Sequence, residues 1–173
     1  MPDHRPAPTA EHIEAWLADL GIAAGPRTER DGVLAWDVTL DGRRRFDLRT
    51  TLIFDPSLGL IAWAHLAPPL GDGLRKAYRS LLRWNDEFPF AKFSIAEDGR
   101  PILTIEIPDR WLGAAELGLA LARIAGIADR LFDETRPWLW IGGRAPAGYA
   151  TRQRRPDALL ERYAASLPDL FES

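Results

Sequence analysis

The residue types that make and break bonds are few in this sequence, and their spacing keeps them apart. There is no cysteine among the 173 residues, which removes disulfides, thiolate nucleophiles, thiolate zinc sites and iron–sulfur clusters. The three histidines are His4, His12 and His65. They fall in a polar proline-rich lead, on a helical stretch and on a strand, and no HExxH spacing joins them. The expectation is no metal and no cofactor. Ser57, Ser80, Ser94, Ser166 and Ser173 lie in no GxSxG elbow or SxxK pair, so no nucleophile is set up and no catalytic residue is assigned. Carboxylates gather at Asp86-Glu87 and at Asp129, Asp133 and Glu134. Paired carboxylates do acid–base work only where burial drives their pKa values apart. The second group reads as a solvated helix face. Asn85, Asp86 and Glu87, at a helix end, leave a small-ligand or enzymatic cleft as the alternative reading. Gly71-Asp72-Gly73 lacks the GxxxxGK spacing of a phosphate loop and reads as a simple helix start.

Charge and size narrow the choice further. The net charge is −3, and of 22 basic residues only Lys76 and Lys92 are lysine. Arg43-Arg44-Arg45 and Arg152, Arg154 and Arg155 could each touch phosphate. An arginine-mediated nucleic-acid contact is therefore a further alternative, opposed by the negative net charge and by the lack of any RNA- or DNA-binding pattern. The apolar fraction of 46% is enough for a core. No apolar run approaches the roughly 20 residues that span a bilayer, and Met1 to Pro8 has no signal-peptide core. A soluble cytoplasmic protein that does not enter membranes is expected.

The elements that must carry these residues follow from periodicity. Residues 1–8 read as a disordered lead. Thr9 caps a first helix, with Ile13, Trp16, Leu17 and Leu20 on one stripe. Leu34 to Leu40, Arg45 to Phe54 and Leu60 to Leu66 alternate as strands, with turns at Asp41-Gly42 and Asp55 to Gly59. A second helix runs from Gly71-Asp72 to Pro89. Ala91 to Ile95 and the strand through Leu103, Ile105 and Ile107 form a hairpin across Asp98-Gly99. A third helix is expected from about Ala114 to Glu134. The segment after Pro137 reads as extended and apolar, then as an exposed arginine stretch, then as a short helix over about 157–166. The fold class is α+β: an antiparallel sheet with helices on one face, in the order α-β-β-β-α-β-β-α plus a C-terminal extension.

Two groups of residues stand out as contact candidates. Ile61, Trp63 and His65 alternate against the small Ala62 and Ala64, so the two faces of that strand differ. Trp84 sits one residue off its helical stripe, and Trp138 and Trp140 lie in the extension. Tryptophan outside a core marks contact surface, so these six residues are the candidate partner-binding set. Gly118, Ala122 and Gly126 recur every four residues in the third helix. Two interior glycines cost about 1 kcal/mol each against alanine, which close approach of another backbone would offset; a dimer contact is the reading offered. Packing on the domain's own sheet is the other account.

Several strings resemble the YbjN-like family, which shares the fold of type III secretion chaperones. They are Leu81-Leu82-Arg83-Trp84-Asn85, Ala91-Lys92-Phe93-Ser94-Ile95, the Asp98-Gly99 hairpin and Ile105-Glu106-Ile107-Pro108, followed by the long third helix. The resemblance implies a family domain over residues 9–136, with 137–173 as the extension. It implies a compact, often dimeric domain that binds protein segments and is linked to regulation rather than catalysis. The expected function is a non-enzymatic, chaperone-like protein-binding or regulatory module. It would hold a peptide segment of a partner, or a second copy in a homodimer, on an apolar surface.

Overall fold

The computed structural model describes residues 7–71 and 74–171; the lead and the Asp72-Gly73 step fall largely outside them. The first helix, α1 (Ala10–Asp19), starts on a reciprocal cap. The His12 amide donates to Thr9 Oγ1 at 3.4 Å, and the Thr9 amide donates to His12 Nδ1 at 3.1 Å. His12 thus takes the place that glutamate or glutamine fills in a capping box.

Among the described residues the sheet has six antiparallel strands: β1 (Thr28–Arg30), β2 (Val33–Leu40), β3 (Leu48–Asp55), β4 (Gly59–His65), β5 (Lys92–Ile95) and β6 (Pro101–Pro108). Their spatial order is β1-β2-β3-β4-β6-β5. Between β4 and β5 lies α2 (Leu74–Glu87), and β6 leads through a 3-10 turn into α3 (Ala114–Arg130). The α+β class and antiparallel sheet agree with the sequence expectation. β1 is additional: all three of its residues are exposed, so it shows no apolar alternation. Asp31 and Gly32, both at positive φ, turn it onto β2, as a two-residue hairpin requires.

Alternation sorts the sheet into two unlike faces. Trp36, Val38 and Leu40, Leu48, Leu52 and Phe54, and Leu60, Ala62 and Ala64 all point inward, each at most 3% exposed. They meet Ile13 and Leu17 of α1, Leu81 and Trp84 of α2, and Leu117, Leu121 and Ile124 of α3 in one core. The opposite face carries Ile53, Ile61, Trp63 and His65, none fully buried.

The C-terminal part departs from the expectation. The third helix ends at Arg130, and a further helix, α4 (Phe132–Leu139), takes in residues 137–139 of the segment expected to be extended, with Pro137 inside it; Trp140 is extended, and Ile141–Gly143 form a 3-10 turn. Pro137 lies near the C-terminal end of this eight-residue helix, so the bond it cannot make is one of the last. The chain then returns across α3 through α5 (Leu159–Tyr163) and α6 (Pro168–Phe171).

Candidate functional site

The inner face consumes nearly everything the sequence offered to a partner on that side. Trp84 is fully buried, its ring 5.4 Å from both Phe93 and Trp138, so it is core and not contact surface. Trp138 is half-buried on that core, and Trp140 packs edge-on to Tyr149 at 4.8 Å. Ile141, at the end of the same run, is fully exposed. The Gly118, Ala122 and Gly126 row is also occupied from within. A Cβ on Gly118 would lie 2.3–2.4 Å from the Tyr163 ring, and one on Gly126 would lie 2.7 Å from Phe171. The close approach inferred for these glycines is real, but α5 and α6 make it, so the row is not free for a second copy.

The charged motifs find internal partners as well. Asp129 is 5% exposed and not on a solvated face. Its carboxylate accepts the backbone N–H groups of Arg43, Arg44 and Arg45 at 2.6, 2.8 and 2.7 Å. Burial pushes its pKa up against the pull of these amides. Gly42 is required beside it, because a Cβ there would stand 2.3 Å from Asp129 Oδ1. The triple arginine therefore serves first through its backbone. Of its side chains, Arg44 pairs with Asp133 at 2.8 Å and Arg43 donates to the Phe171 carbonyl at 2.6 Å. Of the tail arginines, expected to be exposed, Arg144 and Arg152 are exposed and Arg154 and Arg155 are half-buried; they form a strap, in which Arg152 and Arg155 bind Asp47 and Arg155 also reaches the fully buried Asp41. The Arg152 guanidinium holds Asp47 at a pKa of about 2.

The Asn85-Asp86-Glu87 group does not converge on a chemical site. Asn85 clamps the edge strand instead: its Oδ1 accepts the Phe93 amide at 2.8 Å and its Nδ2 donates to the Phe93 carbonyl at 3.1 Å. Of the three, Glu87 lines a cleft, together with Arg123 and Arg130.

What stays open is the outer face. Ile61, Trp63 and His65 share it with Ile53, through the cross-strand pairs Ile53–Ile61 and Thr51–Trp63. Trp63 stacks on His65 with ring centroids 6.1 Å apart, and its buried Nε1 has no partner among the described residues. At the β3–β4 end, Ile53, Ile61 and Leu58, the last 73% exposed, line a groove of about 240 Å³ rimmed by Asp55 and Glu106. At the other end, His65 opens into a cleft of about 480 Å³ lined by Arg45, Arg49, Arg100, Asp47 and Asp98. His65 Nδ1 faces Arg100 Nη1 at 2.9 Å. A guanidinium only donates, so Nδ1 accepts and the ring is neutral. Its pKa is lowered by burial first, then by Arg100 and Arg49. Leu58 and the basic cleft were not singled out from sequence. Leu58 lies in a turn that no periodicity marks, and the cleft joins three loops distant in the chain.

The family profile of YbjN matches residues 9–136, which hold the whole sheet and helices α1 to α3. The chain belongs to the YbjN family. That family is described as "Putative bacterial sensory transduction regulator". No curated protein matches the chain. In this YbjN chain, α4 crosses the end of the matched region, and α5 and α6 add a cover to α3. Among the described residues no helix is long and apolar enough to cross a membrane.

Proposed function

We propose that this YbjN-family protein is a non-enzymatic regulatory module that holds a protein segment against the open face of its sheet. The segment carries apolar side chains for Leu58, Ile53 and Ile61, flanked by lysine or arginine. The observation that carries this reading is the acid-rimmed groove at the β3–β4 end, where Leu58 of the turn is 73% exposed. Charge complementarity sets the flanks. Glu106 shares its charge with Lys92 at 2.6 Å, whereas Asp55 makes no ion pair among the described residues and accepts from the amide and hydroxyl of Ser57. Strand addition at the β5 edge is disfavoured, because Asn85 already occupies the outward amide and carbonyl of Phe93. A cytoplasmic location and a role without catalysis belong to the same reading.

The test uses a photo-crosslinking residue at position 61 in the full chain, with a control at exposed Tyr78 on α2. The expected product is a cross-link from position 61 alone, to an apolar segment with basic flanks. A synthetic peptide of that segment should bind the purified protein and lose about tenfold in affinity in Asp55→Asn, the scale of one charged contact. Asparagine still accepts from Ser57, so the turn is kept. Cross-links only to a second copy of the chain, no cross-link at position 61, or equal binding to Asp55→Asn would overturn the reading.

A further inference from the structure

The basic cleft at the opposite end of the open face has its own logic, independent of the protein-binding reading. Three loops build it. The β2–β3 loop, held by Asp129, brings Arg45 and Asp47; the segment after β4 brings Ala67, Pro68 and Pro69; the β5–β6 turn brings Asp98 and Arg100. Arg49 and His65 enter from the sheet, and Leu139 of α4 closes the far wall.

The charges in this cleft do not balance. Asp98 is engaged by Arg100 at 2.6 Å, and Asp47 is engaged by Arg152 and Arg155 from the strap. Among the described residues neither Arg45 nor Arg49 makes an ion pair. Arg49 is exposed, which is ordinary for an arginine. Arg45 is not: only 8% of it is exposed, and its guanidinium donates solely to the carbonyls of Phe46 and Leu66. A buried charge is ordinarily paired with an opposite one. Here a buried cation lines a cavity and faces neutral acceptors. Next to it stands a histidine whose pKa is lowered by burial first, then by Arg100 and Arg49.

We infer that the cleft binds the oxyanion group of a small molecule, a phosphate monoester or a carboxylate, between Arg45, Arg49 and Arg100. The guanidinium fork matches either group, because both present paired oxygens in one plane. Pro68, Pro69 and Leu139 give the rest of the ligand an apolar wall, so its body is apolar. Binding also changes the balance at His65. The groups facing its ring are Arg100 from the β5–β6 turn, Arg49 from β3, Asp37 from β2 and Asp98. An anion set among these arginines cancels their repulsion of a proton. His65 then protonates more readily, so binding is coupled to proton uptake at its ring.

The experiment follows the His65 ring by NMR in the full chain while inorganic phosphate, phenyl phosphate or benzoate is added. Phenyl phosphate or benzoate should cause a saturable shift below about 10 mM, the weak end of specific binding. Each should bind more tightly than inorganic phosphate, and the His65 pKa should rise on binding. Tighter phenyl phosphate assigns a phosphate monoester, and tighter benzoate assigns a carboxylate. Arg49→Ala, an exposed position that leaves the thermal melt unchanged, should weaken binding about tenfold or more. Arg100→Ala, which removes the direct His65 contact, should weaken binding and raise the pKa of the ligand-free His65, so that less of a rise remains for binding to cause. No saturable shift with any of the three probes, or unaltered affinity in both variants, overturns the inference.

Discussion

The inner and outer faces of the sheet are built from the same kinds of residue and end in opposite states. Inside, tryptophan meets tryptophan, a buried carboxylate meets three amides, and glycines meet aromatic rings of the chain's own tail. Outside, Ile61 and Leu58 meet water, and among the described residues Arg45 and Arg49 stand without a carboxylate. Helices α1, α2 and α3 make the difference, because they pack on the inner face alone. Residues 159–171 spend themselves on α3 and leave the outer face untouched. In this chain the extension adds a second cover to the side that the helices already occupy.

The contrast breaks most completely if the inner side is cut at Asp129. Asp129→Ala would leave three loop amides without their acceptor in a buried site. Breaking a buried, charge-assisted set of this kind costs about 3–5 kcal/mol. Urea unfolding should show a loss of that size, and Asp129→Asn should recover part of it, because an amide oxygen still accepts. A loss below about 1 kcal/mol would mean that the loop does not depend on this carboxylate.

The fate of Asp129 shows how far a sequence reaches. Its i, i+4 partner Asp133 and neighbour Arg130 describe a solvated helix face, and Asp133 does lie on one. Nothing local says that residues 43–45 close over Asp129 from 84–86 positions away. The strands were legible because apolar alternation is a local signal. β1 was missed because its three residues are all exposed, although Asp31-Gly32 carries the same turn chemistry as Asp98-Gly99. The glycine row was legible as a close approach, but not as one made by the tail. Of the candidate contact set, Ile61, Trp63 and His65 share the open face, whereas Trp84 is interior. A helical stripe that is off by one residue does not tell an exposed tryptophan from one that a neighbouring helix covers.

A smaller effect is expected where the tail lies on α3. In Gly118→Ala the new Cβ must displace the Tyr163 ring, which stands 2.3–2.4 Å from its ideal position. Overpacking costs typically 1–3 kcal/mol, and alanine returns about 1 kcal/mol of helix propensity. The net should be a loss of about 0–2 kcal/mol, with faster protease cleavage near residues 150–160. The mass by light scattering should be the same as that of the wild type. A change of assembly state would return the row to the role of a subunit contact.

The strap can be loosened by acid alone. Asp47 titrates at about 2 when folded, against 3.8 ordinarily, because Arg152 donates to it. A carboxyl with a depressed folded pKa stabilises above its unfolded value, and that stabilisation fades as the pH falls through the folded one. Contact between the strap and the β2–β3 loop should therefore weaken between about pH 4 and pH 2, read as growing proteolytic sensitivity near Arg152. Asp47→Asn should be sensitive already at neutral pH and show no such acid step. An acid step of undiminished size in that variant would assign it to another carboxyl.

The smallest effect on folding is expected where the surface is least explained by folding. Leu58 is 73% exposed in the β3–β4 turn, and its amide bonds Asp55 through the backbone alone. Its side chain contributes little to the core, so Leu58→Ser should shift stability by no more than about 0.5 kcal/mol. Binding of a basic-flanked apolar peptide, by contrast, should lose a leucine's worth of buried area. At about 25 cal/mol per Å² that is roughly 1.5–3 kcal/mol for full burial, or about 10- to 100-fold in affinity. The two measurements on one variant separate the faces. A residue of the inner side would lose stability, and a residue of a docking face would lose only the partner. If Leu58→Ser costs several kcal/mol in urea, the turn is part of the core after all, and the groove beside it has no claim to be an open site.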